Sequence, residues 1–282
     1  MSSTPAQLDP RDVEGFFRLV QKHIGVALSL NKDYLISARL SGLVQQSGFE
    51  DHTQLLRYLI NNPVNKLHWQ AFEAMTTNET SFFRDGHPFD ALRQTIIPAL
   101  LESRAQERKL NIWCAAASTG QEPFSVAILL REHFPELTKW QIQIWAHDVS
   151  QQALERAVAG TYNPSEMSRG LSEVQKKRYF SQLTNGHYQI LSEYRSMVKF
   201  DQMNLIRPWP LMPSFDLILM RNVLIYFDHT AKAQILKKLH TQLARSDSCL
   251  LLGSSESLLF DPSFQAVQIE RMTYYQKRNS VA

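Results

Sequence analysis

The sequence predicts an α/β fold, a parallel sheet covered on both faces by helices, with a small antiparallel β insertion and an all-α domain in front of it. Three observations carry this. Up to about Arg84 the apolar residues recur only at helical spacing; beyond it, short near-continuous apolar runs alternate with helical stripes, the mark of strands buried on both faces. Between Tyr162 and Lys199 that alternation stops: the stretch is polar and carries Asn185-Gly186, a hairpin-turn pair, between Tyr179-Phe180 and Tyr188-Gln189-Ile190. The expected organisation is a helical domain over 1–84 and an α/β domain over 85–282, with the insertion at about 162–200.

In the N-terminal part, Asp9 followed by Pro10 reads as a cap and first helical position, and Val13, Phe16, Phe17 and Val20 follow as a stripe that ends before Gly25. Ile36, Leu40, Leu43 and Val44 form a second stripe closed by Gly48. Thr53 is placed to cap a third helix carrying Leu55, Leu56, Leu59 and Ile60, and Pro63 separates it from a fourth over Asn65–Met75. Four short amphipathic helices make a small bundle.

In the second part, Leu110–Ala116, Gln141–Val149, Phe215–Met220 and Cys249–Gly253 read as strands. Gln121–Glu132, a segment from Ser150 to Gly160 and Ile235–Leu243 read as helices. Roughly Ala266–Lys277 reads as two strands in succession.

Composition excludes several classes. The chain has 282 residues, 44% hydrophobic and 20% charged, with a formal charge of +3, too mild a bias to argue for nucleic acid. Cys114 and Cys249 each lie inside an apolar run and are expected as buried, reduced thiols; no Cys or His spacing points to a metal. Met1–Asp9 lacks the apolar segment of a signal peptide, and no apolar run approaches the ~18 residues needed to span a bilayer. The expectation is a cytoplasmic protein without direct membrane insertion.

Ligands of open α/β sheets sit at the carboxyl ends of the strands, and two such ends carry chemistry. After the first strand comes Ala115-Ala116-Ala117-Ser118-Thr119-Gly120-Gln121-Glu122, small enough for close backbone approach but lacking GxGxxG and a P-loop lysine. Glu122, where a helix begins, would repel a phosphate and suits a cation such as an amino-acid ammonium; alternatively it only favours the helix N-terminus. Asp148 ends the second strand, where an acid accepts ribose hydroxyls, or it is a capping acid before Ser150. Together the two acids describe a ligand with a ribose, an amino acid and no phosphate. S-adenosylmethionine has those parts; NAD does not. His147 beside Asp148 is not expected to form a dyad with it, because neighbouring strand residues face opposite ways.

Two further segments, Thr76-Thr77-Asn78-Glu79-Thr80-Ser81-Phe82-Phe83-Arg84-Asp85 and Met220-Arg221-Asn222-Val223-Leu224-Ile225-Tyr226-Phe227-Asp228, together with Ala115–Pro123, resemble the motifs of the CheR family, the chemotaxis-receptor glutamate methyltransferases. The resemblance runs in order along nearly the whole chain. It implies a Rossmann-like S-adenosylmethionine-dependent methyltransferase fold. It also implies transfer of a methyl group to glutamate carboxylates on the cytoplasmic domain of a methyl-accepting chemoreceptor, leaving S-adenosylhomocysteine, by an enzyme expected to be monomeric. Carried over by residue, it places Asn78, Thr80 and Arg84 at the cofactor and methyl-transfer site, Glu122 at the methionine ammonium and Asp148 at the ribose. Asn204 and Leu205 fall on the adenine side, Arg221 and Asn222 match a further binding pair, and Tyr226 matches the active-site tyrosine; Arg84 and Tyr226 are the implied catalytic residues. Phe82, Phe83, Ile225 and Phe227 are expected to pack rather than react.

Departures from the family pattern matter too. Gly253-Ser254-Ser255-Glu256 has serine where the family turn has histidine. The hairpin around Thr184-Asn185-Gly186 is shorter and less glycine-rich than in relatives that grip a peptide at the receptor's C-terminus, which implies independence of that tether. Arg39 stands almost alone where relatives cluster arginines, which implies weaker electrostatic docking. A methyltransferase for another acceptor, a cofactor-binding module without turnover and a dehydrogenase are the alternatives. The Thr76–Arg84 segment, intact Arg84 and Tyr226, and the absent GxGxxG respectively argue against them.

Overall fold

The computed structural model describes residues 8–259, 261–269 and 272–278. The chain divides into two compact units, one up to Thr77 joined by Tyr226–Lys232, the other Asn78–Ile225 with 233–282. Met1–Gln7, on which the reading of the N-terminus partly rested, lie outside the described residues.

The first unit holds α1 (Pro10–Ile24), α2 (Tyr34–Ser47), α3 (His52–Asn61) and α4 (Lys66–Ala74). The expected stripe of α1 is its buried face, Asp9 caps it through Arg11 N, and Gly25 ends it in the left-handed region. The third cap differs from expectation: Asp51, not Thr53, accepts the Gln54 amide at 2.8 Å, because its extended backbone lets the carboxylate reach the third amide of α3. Asn65 and His68 form a capping box on α4, and His68, fully buried, also meets Leu59 O. The Arg39 guanidinium donates to Met75 O, Thr76 O and Thr77 Oγ1 and so closes the end of α4 onto α2. Tyr226–Lys232 joins this unit through a Val26–Phe227 bridge, the Ala27 N–H on Tyr226 O, and Gln21 on Asp228.

In chain order the second unit runs α5 (His87–Ala91), α6 (Ile97–Ser103), β1 (Lys109–Ala115), α7 (Gln121–His133), β2 (Gln141–Asp148) and α8 (Gln151–Ala159). The insertion follows as β3 (Thr161–Tyr162), α9 (Pro164–Met167), α10 (Glu173–Tyr179), β4 (Phe180–Gln182), β5 (Tyr188–Ile190) and α11 (Ser192–Arg195). Then come β6 (Val198–Gln202), β7 (Leu217–Met220), α12 (His229–Gln242, entering from the first unit), β8 (Cys249–Leu252), β9 (Phe264–Ile269) and β10 (Met272–Lys277). The main sheet has the order β6-β2-β1-β7-β8-β10-β9, and the insertion a separate sheet of order β3-β5-β4.

Three corrections follow. The sheet is mixed, because β10 runs antiparallel to both β8 and β9. Two strands joined by so short a link cannot be parallel, since a parallel pair needs a crossover of about a dozen residues. The insertion ends before 198, because β6 pairs with β2 in the main sheet. Finally, α5 and α6, joined by a π-helical turn over Leu92–Ile96, were not anticipated: Pro88 and Pro98 interrupt the pattern, and Pro98, lacking an N–H, follows the widened turn.

The parallel register aligns Ala115 with His147, Asp148 with Gln202 and Met220 with Leu252, so the motif-bearing strand ends share one edge of the sheet. One face is a continuous core that includes Ile112, Cys114, Phe124, Ile128, Ile144, Leu217 and Leu251. Elsewhere β1 and β2 carry a ring cluster: Trp113, fully buried, lies 5.0 Å from Trp209, 5.2 Å from Phe215 and 5.9 Å from His147. At the opposite end of the sheet Arg104, 2% exposed, donates to Asp216 and pairs with both oxygens of Asp247, while Asp216 also accepts the Asn111 amide. The hydrogen bond to Asp247 is the main cause that holds the guanidinium more basic than usual, and its burial opposes it. Cys114 and Cys249 are free and buried, and burial pushes the Cys249 thiol up to about 12.

His147 faces the rings, not Asp148. Its burial depresses its pKa to about 4, against a small opposing pull from Asp201 and a push in the same direction from Lys199. Between pH 6.5 and about 4 the unfolded chain therefore binds the proton and the native chain does not. Stability from this residue is complete above 6.5 and falls on acidification through that window, by at most ~1.4 kcal/mol per pH unit. Urea unfolding at pH 7 and pH 5 should show a smaller loss for His147→Phe than for the wild type; equal losses would mean that His147 titrates normally in the fold.

Candidate functional site

The loop after β1 is built for close approach. Ala116 and Ser118 adopt left-handed φ of 64° and 51°, and Gly120, at 95°, precedes α7 with Tyr162 Oη 3.1 Å from where a Cβ would stand. Among the described residues six non-glycines have left-handed φ, and five of them lie in the three motif segments: Phe83, Asp85, Ala116, Ser118 and Asn222. Such conformations cost roughly 1–3 kcal/mol each and persist only where neighbours enforce them.

The enforcing contacts join the motifs to one another. Ser118 N donates to Asp148 Oδ2 at 2.8 Å and Ser118 Oγ donates to Asn78 O at 2.8 Å. Asp148 Oδ1 accepts the Ser150 amide, while Ser150 Oγ itself caps α8 at Ala153. Asp148 is thus a brace between two loops and not the cap of α8. Asp148 O accepts the Met203 amide, which brings Asn204 and Leu205 to the same strand end; Leu205 O is held by Trp209 Nε1 and Lys238 Nζ.

A second cluster centres on Arg221, its side chain 1% exposed. Nη1 donates to Glu122 at 2.9 Å, and Nη2 donates to Asp85 at 2.8 Å and to Arg84 O at 3.0 Å. Burial pushes the Glu122 carboxyl above the usual range, and the guanidinium pulls it back. Arg221 Nε is buried with no partner among the described residues. The Arg84 guanidinium donates to Glu79 O. Thr80 lines a cleft with Asn78, Thr119 and Gln121.

The structure therefore gathers Asn78, Thr80, Arg84, Glu122, Asp148, Asn204, Leu205, Arg221 and Asn222 within the second unit. Tyr226 belongs to the first unit, and its carbonyl accepts from Ala27.

Sequence reasoning left Glu256 without a role. Its carboxylate accepts four backbone amides, from Gly253, Asn222, Val223 and Ile225, at 2.7–3.2 Å. It holds Asn222 in its left-handed conformation and shapes the turn that carries Arg221. Gly253 is needed there because a Cβ would lie 2.7 Å from Asn222 N. The available signal was the Gly-Ser-Ser-Glu turn itself, with a carboxylate three residues past a strand-ending glycine.

An open α/β sheet with acidic residues at its strand ends, after a helical bundle, is the architecture of an S-adenosylmethionine-dependent methyltransferase. Comparison with known proteins gives the particular family. The family model described as CheR methyltransferase, SAM binding domain, matches residues 78–273, and that described as CheR methyltransferase, all-alpha domain, matches 11–76. The chain belongs to the CheR methyltransferase family. It is 36% identical to the chemotaxis protein methyltransferase Cher2 of Pseudomonas putida, over 95% of this chain and 98% of that one. It is 38% identical to chemotaxis protein methyltransferase 1 of Pseudomonas aeruginosa, over 91% and 94%. The chemotaxis protein methyltransferase of Vibrio parahaemolyticus is 35% identical over 90% and 92%. The solved methyltransferase domain of bacterial CtHen1-C, 16% identical, overlaps 58% of this chain and 65% of its own at a TM-score of 0.33. The chain is a chemotaxis protein methyltransferase that uses S-adenosylmethionine.

Replacing Glu256 by Ala strands several amides. We expect it to cost roughly 1–3 kcal/mol of stability and to weaken S-adenosylhomocysteine binding, with Glu256→Gln intermediate. Chemical denaturation and calorimetry measure the two effects. Unchanged values for both would remove Glu256 from any role in shaping the loop.

Proposed function

We propose that this enzyme methylates glutamate side chains on the cytoplasmic domain of a methyl-accepting chemoreceptor, working in the cytoplasm as a monomer. The observation that carries the reading is the joining of the three motif segments through Ser118 and Arg221 around Asp148 and Glu122, in a chain whose relatives are named chemotaxis protein methyltransferases. No helix among the described residues is long and apolar enough to cross a membrane.

The residues present fit S-adenosylmethionine. Asn78, Thr80, Arg84, Arg221 and Asn222 frame the site, Glu122 offers a carboxylate to an ammonium, Asp148 and Asn204 mark the nucleoside side, and the partnerless Arg221 Nε is a donor for a carboxylate. When bound, the cofactor supplies an electrophilic methyl group on a sulfonium. The acceptor glutamate, with an ordinary pKa of about 4.3, is already ionised at neutral pH, so no general base is required. Transfer would form the O–C bond as the S–C bond breaks, with its electron pair left on sulfur, so the protein's own groups would have no proton to move. The work left to the protein is alignment and exclusion of water. Arg84 and Tyr226 orient the acceptor carboxylate by hydrogen bonds. Their grip must be limited, because esterification neutralises the charge they hold.

Arg84→Ala and Tyr226→Phe should each lower kcat at saturating cofactor by ten-fold or more, while thermal unfolding stays near that of the wild type. Methylation of purified receptor cytoplasmic domains with radiolabelled S-adenosylmethionine measures this, and wild-type turnover in both variants would refute the orienting roles.

Substrate capture is proposed to need no receptor C-terminal tether. The outer strand β4 has only three residues, and the loop after it closes on itself through Leu183 N to His187 O and Gly186 N to Leu183 O. Peptide capture by strand addition needs an edge with several unpaired backbone groups, and this edge is short. Docking through α2 lacks charge as well, because Arg39 is engaged with the α4 terminus. Recognition then falls to the methylation region itself, without the ~10²–10⁴ gain of a linked second site. Titration with a free receptor C-terminal pentapeptide should show no binding up to about 100 μM, and deleting that peptide from the receptor should leave the methylation rate unchanged; micromolar binding would refute tether independence.

A further inference from the structure

The Asn78–Arg84 segment carries three candidate site residues, yet its tip is exposed and Phe83, at its end, sits in the left-handed region. Such a segment needs a scaffold. Part of that scaffold is the loop after β1, through Ser118 Oγ on Asn78 O, and helix α7, whose Ser125 Oγ accepts the Phe83 amide. The remainder comes from the insertion, which the mechanism does not use.

Phe82, fully buried, plugs the junction edge-on against Tyr162, at 5.0 Å between ring centres, and Phe180, at 5.2 Å. Tyr162 in turn donates to Thr119 O at 2.8 Å, in the β1 loop. Between α9 and α10, Gly170 turns with φ of 85° so close to Phe82 that a Cβ would stand 1.8 Å from the Phe82 carbonyl oxygen. Only a glycine fits there, for both its φ and its missing side chain. The preceding residue, Arg169, donates to Glu79 Oε1 at 2.8 Å, and Glu79 O accepts from Arg84. From the same stretch, Glu166 and Arg169 line a cleft of about 300 Å³ together with Asn78, Glu79 and Thr80.

We propose that Gly170 and Arg169 are positioning residues, through which the insertion holds the Asn78–Arg84 segment in the geometry needed for cofactor binding and methyl transfer. The insertion is on this view a working part of the methyl-transfer site whether or not it ever grips a peptide. The inference rests on the site reading above, but its first test needs only the cofactor product.

Gly170→Ala forces either the turn or the Phe82 backbone to move, since backbone meets backbone. Gly186→Ala is the control: it sits in the same insertion at φ of 81°, with nothing within 4 Å of its Cβ, so it carries the same conformational penalty without touching Phe82. Calorimetric titration with S-adenosylhomocysteine should show at least a ten-fold loss of affinity for Gly170→Ala and less than two-fold for Gly186→Ala. A second arm does not depend on Gly170→Ala folding. Arg169→Glu should weaken S-adenosylhomocysteine about three-fold and lower kcat on receptor, at an unchanged urea midpoint. The double variant Arg169→Glu with Glu79→Arg should recover both. Affinity and kcat unchanged in Arg169→Glu, or Gly170→Ala matching Gly186→Ala, would overturn the proposal. A wild type that binds S-adenosylhomocysteine but methylates no receptor would instead sink the receptor assignment, and the affinity comparison would still be read.

Discussion

The site depends on one buried guanidinium. Arg221 directly follows β7 with its side chain 1% exposed, and a charge taken so far from water must find partners or unfold its surroundings. It finds Glu122 at the start of α7, and Asp85 with the Arg84 carbonyl on the segment before α5. Two pieces of chain far apart in sequence are thereby fixed to one strand end. Removing any one partner would leave the others with a buried charge half satisfied, so the contacts act as a unit.

That unit explains why the strained residues cluster as they do. Left-handed Phe83 and Asp85 lie beside the Arg84 carbonyl held by Arg221; left-handed Asn222 follows Arg221 and is held by Glu256; left-handed Ser118 is held between Asp148 and Asn78. In the motif segments, left-handed Asp85, Ser118 and Asn222 each have a side-chain contact that holds them. A loop shaped this way loses little further entropy when a ligand arrives, which is how a fold converts stability into a preorganised site.

Much of this was legible in the sequence, and the reasons differ by element. The stripes of α1, α2 and α3 could be read because each helix buries one face, and the strands β1, β2, β7 and β8 because they are buried on both. The candidate residues stood in contiguous motifs, so their identities were readable, but not their partners. Arg221 gave no sign that it would pair with Glu122, 99 positions away, nor Glu256 that it would collect four amides, because such contacts are made by folding and leave no local periodicity. Strand β6 was missed because only Val198 and Phe200 interrupt its polar residues, as suits an edge strand with one neighbour. Thr53 and Asp51 are both good cap residues, and only the extended backbone at Asp51 makes it the cap.

The charges around Arg221 also bear on how the proposed site would treat substrate and product. Arg221 pairs directly with Glu122 and Asp85, while Arg84 and Glu256 act on Glu122 as lesser charges of opposite sign. Burial raises the pKa of Glu122, the guanidinium opposes that rise, and a third charge of either sign must tip the balance. An incoming cation lowers the pKa of Glu122 further and strengthens its own binding, whereas a neutral group gains nothing from the carboxylate. S-adenosylmethionine carries a sulfonium and an ammonium against one carboxylate. After transfer the sulfonium charge is gone, and the product is neutral overall. In the proposed site the ammonium that Glu122 would meet is common to donor and product, so only the sulfonium charge would distinguish them there. On this reading the same buried arginine that assembles the three segments also limits the negative charge. Without it, Asp85 and Glu122 would lose their shared cation, and burial would favour the protonated form of Glu122, which could not hold an ammonium as proposed.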